Sequence, residues 1–82
     1  MSKVYINLAD SSDLMNLTGL PSFKENGDIR FHEPVWFNDT EVEEVILLNS
    51  QIVQVRQIIK ELNTNRTVNG NPIADWITII YQ

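Results

Sequence analysis

Apolar positions recur at more than one spacing along this chain, and each spacing predicts a different element. In "KVYINLAD", Val4, Ile6 and Leu8 alternate with Tyr5 and Asn7, the two-residue period of a strand with one buried face. Turn formers fill "SSDLMNLTGLPS", where Gly19 and Pro21 stop any regular element, and "KENGD" offers Asn26-Gly27 as a tight-turn pair. Alternation returns in "DIRFHEPVWF", with Ile29, Phe31, Val35 and Phe37 on one parity and Glu33 as the polar interruption. Pro34 has no N–H to donate, which predicts an edge strand or one broken at that point.

The period then changes. "NDTEVEEVILLNSQIVQVRQIIKELNTN" has no Gly or Pro from Glu41 to Leu62, and Thr40 with Glu43 matches a capping box. Glu41, Glu43 and Glu44 at one end and Arg56 and Lys60 toward the other complement a helix dipole. The predicted helix is about 33 Å long at ~1.5 Å per residue. Val45, Leu48, Ile52, Val55, Ile59 and Leu62 follow alternating steps of three and four, an a/d seam over nearly three heptads. Ile46, Leu47, Val53 and Ile58 widen the stripe, which also suits one amphipathic helix laid on a small sheet. Spacing alone does not choose between a coiled coil and that helix, nor between two strands and three.

After the helix, Asn69-Gly70 supplies the positive-φ pair of a tight turn, and Pro72 pins φ just beyond it. Trp76 and Ile80 fall on one parity of the last strand, and Ile77, Ile79 and Tyr81 on the other. A strand apolar on both faces needs cover, which neighbouring copies around a symmetry axis would supply.

Composition narrows the function. With 82 residues the chain makes one domain with a thin core, and the absence of cysteine removes disulfides and zinc–thiolate staples, leaving oligomerisation as the common remedy. The net charge is −5; residues 1–44 carry −6 of it and residues 45–82 carry +1. An acidic chain without a basic patch argues against nucleic acid as partner. No apolar run reaches the ~20 residues of a membrane span, and the start lacks a signal-peptide core, so synthesis in a cytoplasm is expected. Catalytic constellations are missing: His32 is the only histidine, "DSSD" lacks the Gly and Glu of a calcium loop, and the glycines are isolated. No enzyme activity, cofactor or metal is predicted. Phe23, Phe31, Trp36 and Phe37 form the candidate docking cluster, since aromatic side chains anchor interfaces.

Arg66-Thr67-Val68-Asn69-Gly70, Pro72-Ile73 and Ile77-Thr78-Ile79 together resemble a segment of bacteriophage tail and head fibres, in which a "VNG" turn and a strand follow a coiled coil. The resemblance spans about fourteen residues and implies a homotrimeric virion protein attached to capsid or tail proteins. Trp76, where the fibres have a small polar residue, and the lack of a further repeat after Gln82 point to a short fibre, fibre base or anchor. The fold expected on this basis is α+β. Residues 1–38 form an extended strand and loop attachment region, 39–63 a long central helix in a parallel coiled coil, and 64–82 a turn and C-terminal strand. The oligomer interface would comprise Val45, Leu48, Ile52, Val55, Ile59, Leu62, Trp76, Ile77 and Ile79. The alternative is a small acidic inhibitor or adaptor that binds another protein, suggested by size and by the acidic N-terminal half.

Overall fold

A computed structural model describes residues 2–82. It contains no long helix. Three strands, β1 (Ser2–Asn7), β4 (Val42–Leu48) and β7 (Thr78–Tyr81), form a parallel sheet in the order β1-β4-β7. Between β1 and β4 lie helix α1 (Ser11–Thr18), the hairpin β2 (Leu20–Phe23) and β3 (Ile29–His32), and a 3₁₀ turn at Val35–Asn38. Between β4 and β7 lie a 3₁₀ turn at Val53–Val55, helix α2 (Arg56–Asn65), and the short hairpin β5 (Thr67–Val68) and β6 (Asn71–Pro72).

The predicted coiled coil is therefore overturned, and the seam is divided among three elements. Val45 and Leu48 lie in β4, Ile52 and Val55 in and beside the second 3₁₀ turn, and Ile59 and Leu62 in α2. The reason is tertiary. "VEEVILL" is rich in β-branched and apolar residues, and a near-continuous apolar run suits the middle strand of a parallel sheet. The capping box does not form, because Glu43 sits at an irregularity where the register passes from Ser2↔Val42 to Lys3↔Glu44. That extra residue is a β-bulge, and it lets Val42 and Val45 both enter the core although three positions separate them.

Register sorts the side chains. Val4 lies opposite Val45, Ile6 opposite Leu47, and Val45 opposite Ile79, so these residues share one face. They join Leu17 of α1 and Leu62 of α2, with Phe37, Val55, Val68, Ile73 and Ile77, in a single core. Both crossovers thus lie over the same face, as two connections of one hand moving the same way across a sheet require. Tyr5, Ile46 and Ile80 point to the opposite face and lie outside that cluster.

Local chemistry sets the ends of the elements. The "DSSD" segment is a helix start: Asp10 Oδ1 accepts from Ser12 N at 2.9 Å and Asp13 N at 3.3 Å, which caps α1. Asp13 Oδ2 accepts the Asn7 N–H at 2.6 Å and ties the helix to the end of β1. The strand predicted from Ile29 to Phe37 breaks before Pro34, as its imino nitrogen demands. The Asn69-Gly70 turn forms as expected, with φ of 52° and 82°, and joins β5 to β6.

Candidate functional site

A groove of about 660 Å³ lies between α1 and the segment that leads from β3 into β4. Three features build it. Gly19 ends α1 with φ of 82°, and the chain turns directly into β2 so that Leu20 stands on the rim. Pro34 ends β3 and starts the 3₁₀ turn, which sets Val35 and Trp36 on the opposite wall. Val42, brought inward by the bulge, lies at the base with Val4.

Trp36 is held rigidly. Its indole Nε1 donates to the Asn16 carbonyl of α1 at 2.6 Å, and its ring meets the fully buried Phe37 edge-on with centroids 4.6 Å apart. Around it the apolar side chains are unusually free: Val35 is 89% exposed, Leu20 58% and Met15 45%. Apolar groups left in water at a concave, rigid site mark an interaction surface more often than a solvated one.

The rim is acidic. Glu33 and Asp39 line the groove, and Asp39 leads on to Trp76, whose Nε1 donates to the Asp39 carbonyl at 3.2 Å. Trp76 forms one wall of a neighbouring cleft of about 450 Å³ with Glu43 and Glu44. Among the described residues one ion pair exists, Lys3 to Glu44 at 3.5 Å, which leaves Glu33, Asp39, Glu41 and Glu43 without a cation. With Glu33 and Asp39 and no Lys or Arg in its lining, the groove carries negative formal charge.

The candidate docking residues separate. Phe37 is fully buried core, Trp36 and Phe31 are half-buried, and Phe23 stands 76% exposed on the β2–β3 hairpin, away from the groove. Of the candidate interface residues, Val45, Val55, Leu62 and Ile77 fill the core of one chain. Leu48, Ile52, Ile59 and Ile79 are half-buried, and Trp76 is 48% exposed. Sequence reasoning missed Met15, Leu20 and Val35. Their only signals were apolar residues four positions before and one after Gly19, and one after Pro34.

The groove also brings Ser12 and His32 into one lining, but His32 is exposed and no hydrogen bond joins the two. No group of three or more potential metal ligands occurs among the described residues. No helix of the described residues is long and apolar enough to cross a membrane. Comparison with protein-family models, curated proteins and solved structures gives no match to this chain.

Proposed function

We propose that this protein is a small acidic protein-binding module, an inhibitor or adaptor, which seats an apolar segment flanked by Arg or Lys in the groove beside Trp36. The observation that carries this reading is the exposed trio Val35, Leu20 and Met15 around a fixed tryptophan, under a rim whose carboxylates lack cations. Apolar contact supplies the anchor, and unpaired charges steer a basic partner and set its orientation. The role is occupancy of a partner's surface rather than chemistry.

A virion component is the second reading. It rests on the resemblance of residues 66–79 to phage fibres, since the coiled coil that would have organised a trimer is replaced by β4, the 3₁₀ turn and α2. The groove requires no such assembly, and for that reason the adaptor reading stands first.

Panning a random library of peptides about twelve residues long on the immobilised protein tests it. Enriched peptides should combine an aromatic or aliphatic anchor with Arg or Lys, lose affinity as salt rises, and fail on a Val35→Asp variant. Enrichment without basic residues, or binding untouched by Val35→Asp, would overturn the proposal.

A further inference from the structure

The parallel sheet has two edges, β1 and β7, and the chain treats them differently. Register fixes which backbone groups point outward. Leu48 O accepts from Leu8 N at 2.9 Å, so the even-numbered residues of β1 bond to β4, and the N–H and C=O of Lys3, Tyr5 and Asn7 point away from the sheet. That edge is guarded. Asn7 N donates to Asp13 Oδ2 at 2.6 Å, Asn7 O accepts from Asp10 N at 3.1 Å, and Lys3 brings a charge to the remainder.

The β7 edge carries no such device. Gln82 N donates to Leu47 O at 2.9 Å, which directs Thr78 and Ile80 toward β4 and leaves the N–H and C=O of Ile79 and Tyr81 pointing outward. β4 is the only strand beside β7, and no turn, loop or cap hydrogen bond reaches these four groups among the described residues. The outward series ends at Ile77, whose carbonyl accepts from Arg66 Nη2 at 2.6 Å and whose N–H donates to Ala74 O at 3.2 Å. Thr78–Tyr81 holds no charge, proline or bulge, the features that keep edge strands from pairing.

We propose that β7 pairs with β7 of a second copy, antiparallel, about a twofold axis beside Ile80. The free groups choose this register. Ile79 and Tyr81 flank Ile80, so an antiparallel copy centred there sets Ile79 opposite Tyr81 of the second copy, and symmetry repeats the pair. All four outward groups of each strand are then bonded. The side chains agree. Ile79 meets the Tyr81 ring of the second copy on the helix-covered face, an aromatic to β-branched pair, and the two Ile80 side chains meet on the other face beside Ile46. Two further features select a second copy over a foreign strand. β7 is uncharged in a chain of net charge −5, so this register sets no like charges directly opposite one another. Pairing through β7 also closes the assembly: the joined sheet runs β1-β4-β7-β7-β4-β1, and its outer edges are the guarded ones. Two strands of four residues bury less than the roughly 800 Å² per partner of a stable interface, so the dimer is weak and reversible.

The chain has no cysteine, so a single introduced thiol reads the register. Directly opposed residues of a non-hydrogen-bonded antiparallel pair have Cα atoms ~4.5 Å apart, within disulfide range. Ile80→Cys should therefore form a disulfide dimer under mild oxidation. Thr78→Cys, whose two copies would be offset by about 13 Å along the strands, should link at least tenfold less. Sedimentation equilibrium of the unaltered chain from about 10 μM to about 1 mM should show the mass climbing from 9.5 kDa toward twice that value. Ile80→Lys and Ile80→Glu, changes outside the core cluster, should keep the circular dichroism spectrum, weaken association at least tenfold each, and recover it when mixed in equal amounts. Val35→Asp, in the groove, should leave the mass unchanged. A wild-type chain that stays monomeric at the highest concentration, equal linking of the two cysteine variants, or Ile80→Lys and Ile80→Glu chains that do not associate on mixing overturns the proposal.

Discussion

The guanidinium of Arg66 donates to the carbonyl oxygen of Ile77 at 2.6 Å, and the same Nη2 donates to the Ala74 carbonyl at 2.6 Å. Arg66 is also the left-handed cap of α2, with φ of 56° and its N–H on the Leu62 carbonyl at 2.9 Å. Its own carbonyl accepts from Ile73 N at 3.1 Å. One residue thus ends the helix, turns the chain into β5 and fixes the segment that delivers β7 to the sheet.

Removing that side chain should cost more than an average surface change. Charge-assisted hydrogen bonds contribute roughly 1.5–3 kcal/mol each, and Arg66→Ala removes two of them, although the Ala74 carbonyl keeps the Ile77 N–H at 3.2 Å, so a loss of about 2–4 kcal/mol is expected. A left-handed backbone costs a non-glycine residue roughly 1–2 kcal/mol, so Arg66→Gly should be less harmful than Arg66→Ala by about 1 kcal/mol. Urea unfolding of the two variants checks the order. Equal stabilities would mean that the cap conformation carries no strain.

Glu61 supports the adjacent hairpin. Its Oε2 accepts the Thr67 hydroxyl at 2.6 Å and the Gly70 N–H at 2.9 Å. The Thr67 hydroxyl, then the Gly70 N–H, hold its carboxyl below the ordinary value of 4.5, against a smaller opposing effect of desolvation. A carboxyl with a depressed folded pKa stabilises the fold above its unfolded pKa and loses that contribution as pH falls through the folded one. The stability difference between wild type and Glu61→Gln should therefore be constant near neutrality and shrink below about pH 4.5. Urea midpoints of both proteins between pH 7 and pH 3 measure it, and a difference that grows on acidification would contradict the assignment.

Much of the architecture was legible where one local rule governed. Alternation marked β1, Pro34 marked the end of β3, and Asn69-Gly70 marked the β5–β6 turn. The centre of the chain was not legible, for a geometric reason. The bulge at Glu43 gives β4 core residues at Val42 and Val45, and the turn at Asn49 and Ser50 happens to carry the three-four rhythm on through Ile52 and Val55 into α2. A helical period was thereby reproduced by a strand, a turn and a short helix in succession. α1 escaped notice because its eight residues hold one fully buried side chain, Leu17, and its cap Asp10 lies in a run that also suits a turn. The groove was invisible for a related reason. Met15, Leu20 and Val35 meet only when Gly19 and Pro34 have turned the chain, and no local spacing encodes that meeting.

Two glycines with the same φ of 82° should respond differently to alanine. A Cβ on Gly19 would collide with the backbone carbonyl of His32, a group fixed in the hairpin, whereas a Cβ on Gly70 meets nothing within 4 Å. Gly70→Ala bears only the left-handed backbone, roughly 1–2 kcal/mol. Gly19→Ala adds displacement of β3 from α1 and should exceed about 3 kcal/mol, a large fraction of the ~5–15 kcal/mol that holds a domain folded. Thermal unfolding by circular dichroism separates the two. Similar melting temperatures would mean that β3 yields freely to a larger residue at position 19.

The divided seam makes the last test. In one continuous helix, Ile52 and Val55 would occupy equivalent a and d positions, and a polar residue at either would dissociate an oligomer and unfold it. Here Val55 is fully buried in the core of a single chain, while Ile52 is half-buried in the turn before it. Val55→Asp places a carboxylate with no partner in the apolar core that also holds Ile6, Leu47 and Leu62, and should abolish folding. Ile52→Asn should cost about 1–2 kcal/mol and leave a folded protein. Circular dichroism with light scattering at low micromolar concentration reads both properties together. Equal unfolding by the two substitutions, accompanied by a fall in mass from an oligomer, would restore the helical seam and displace the parallel sheet.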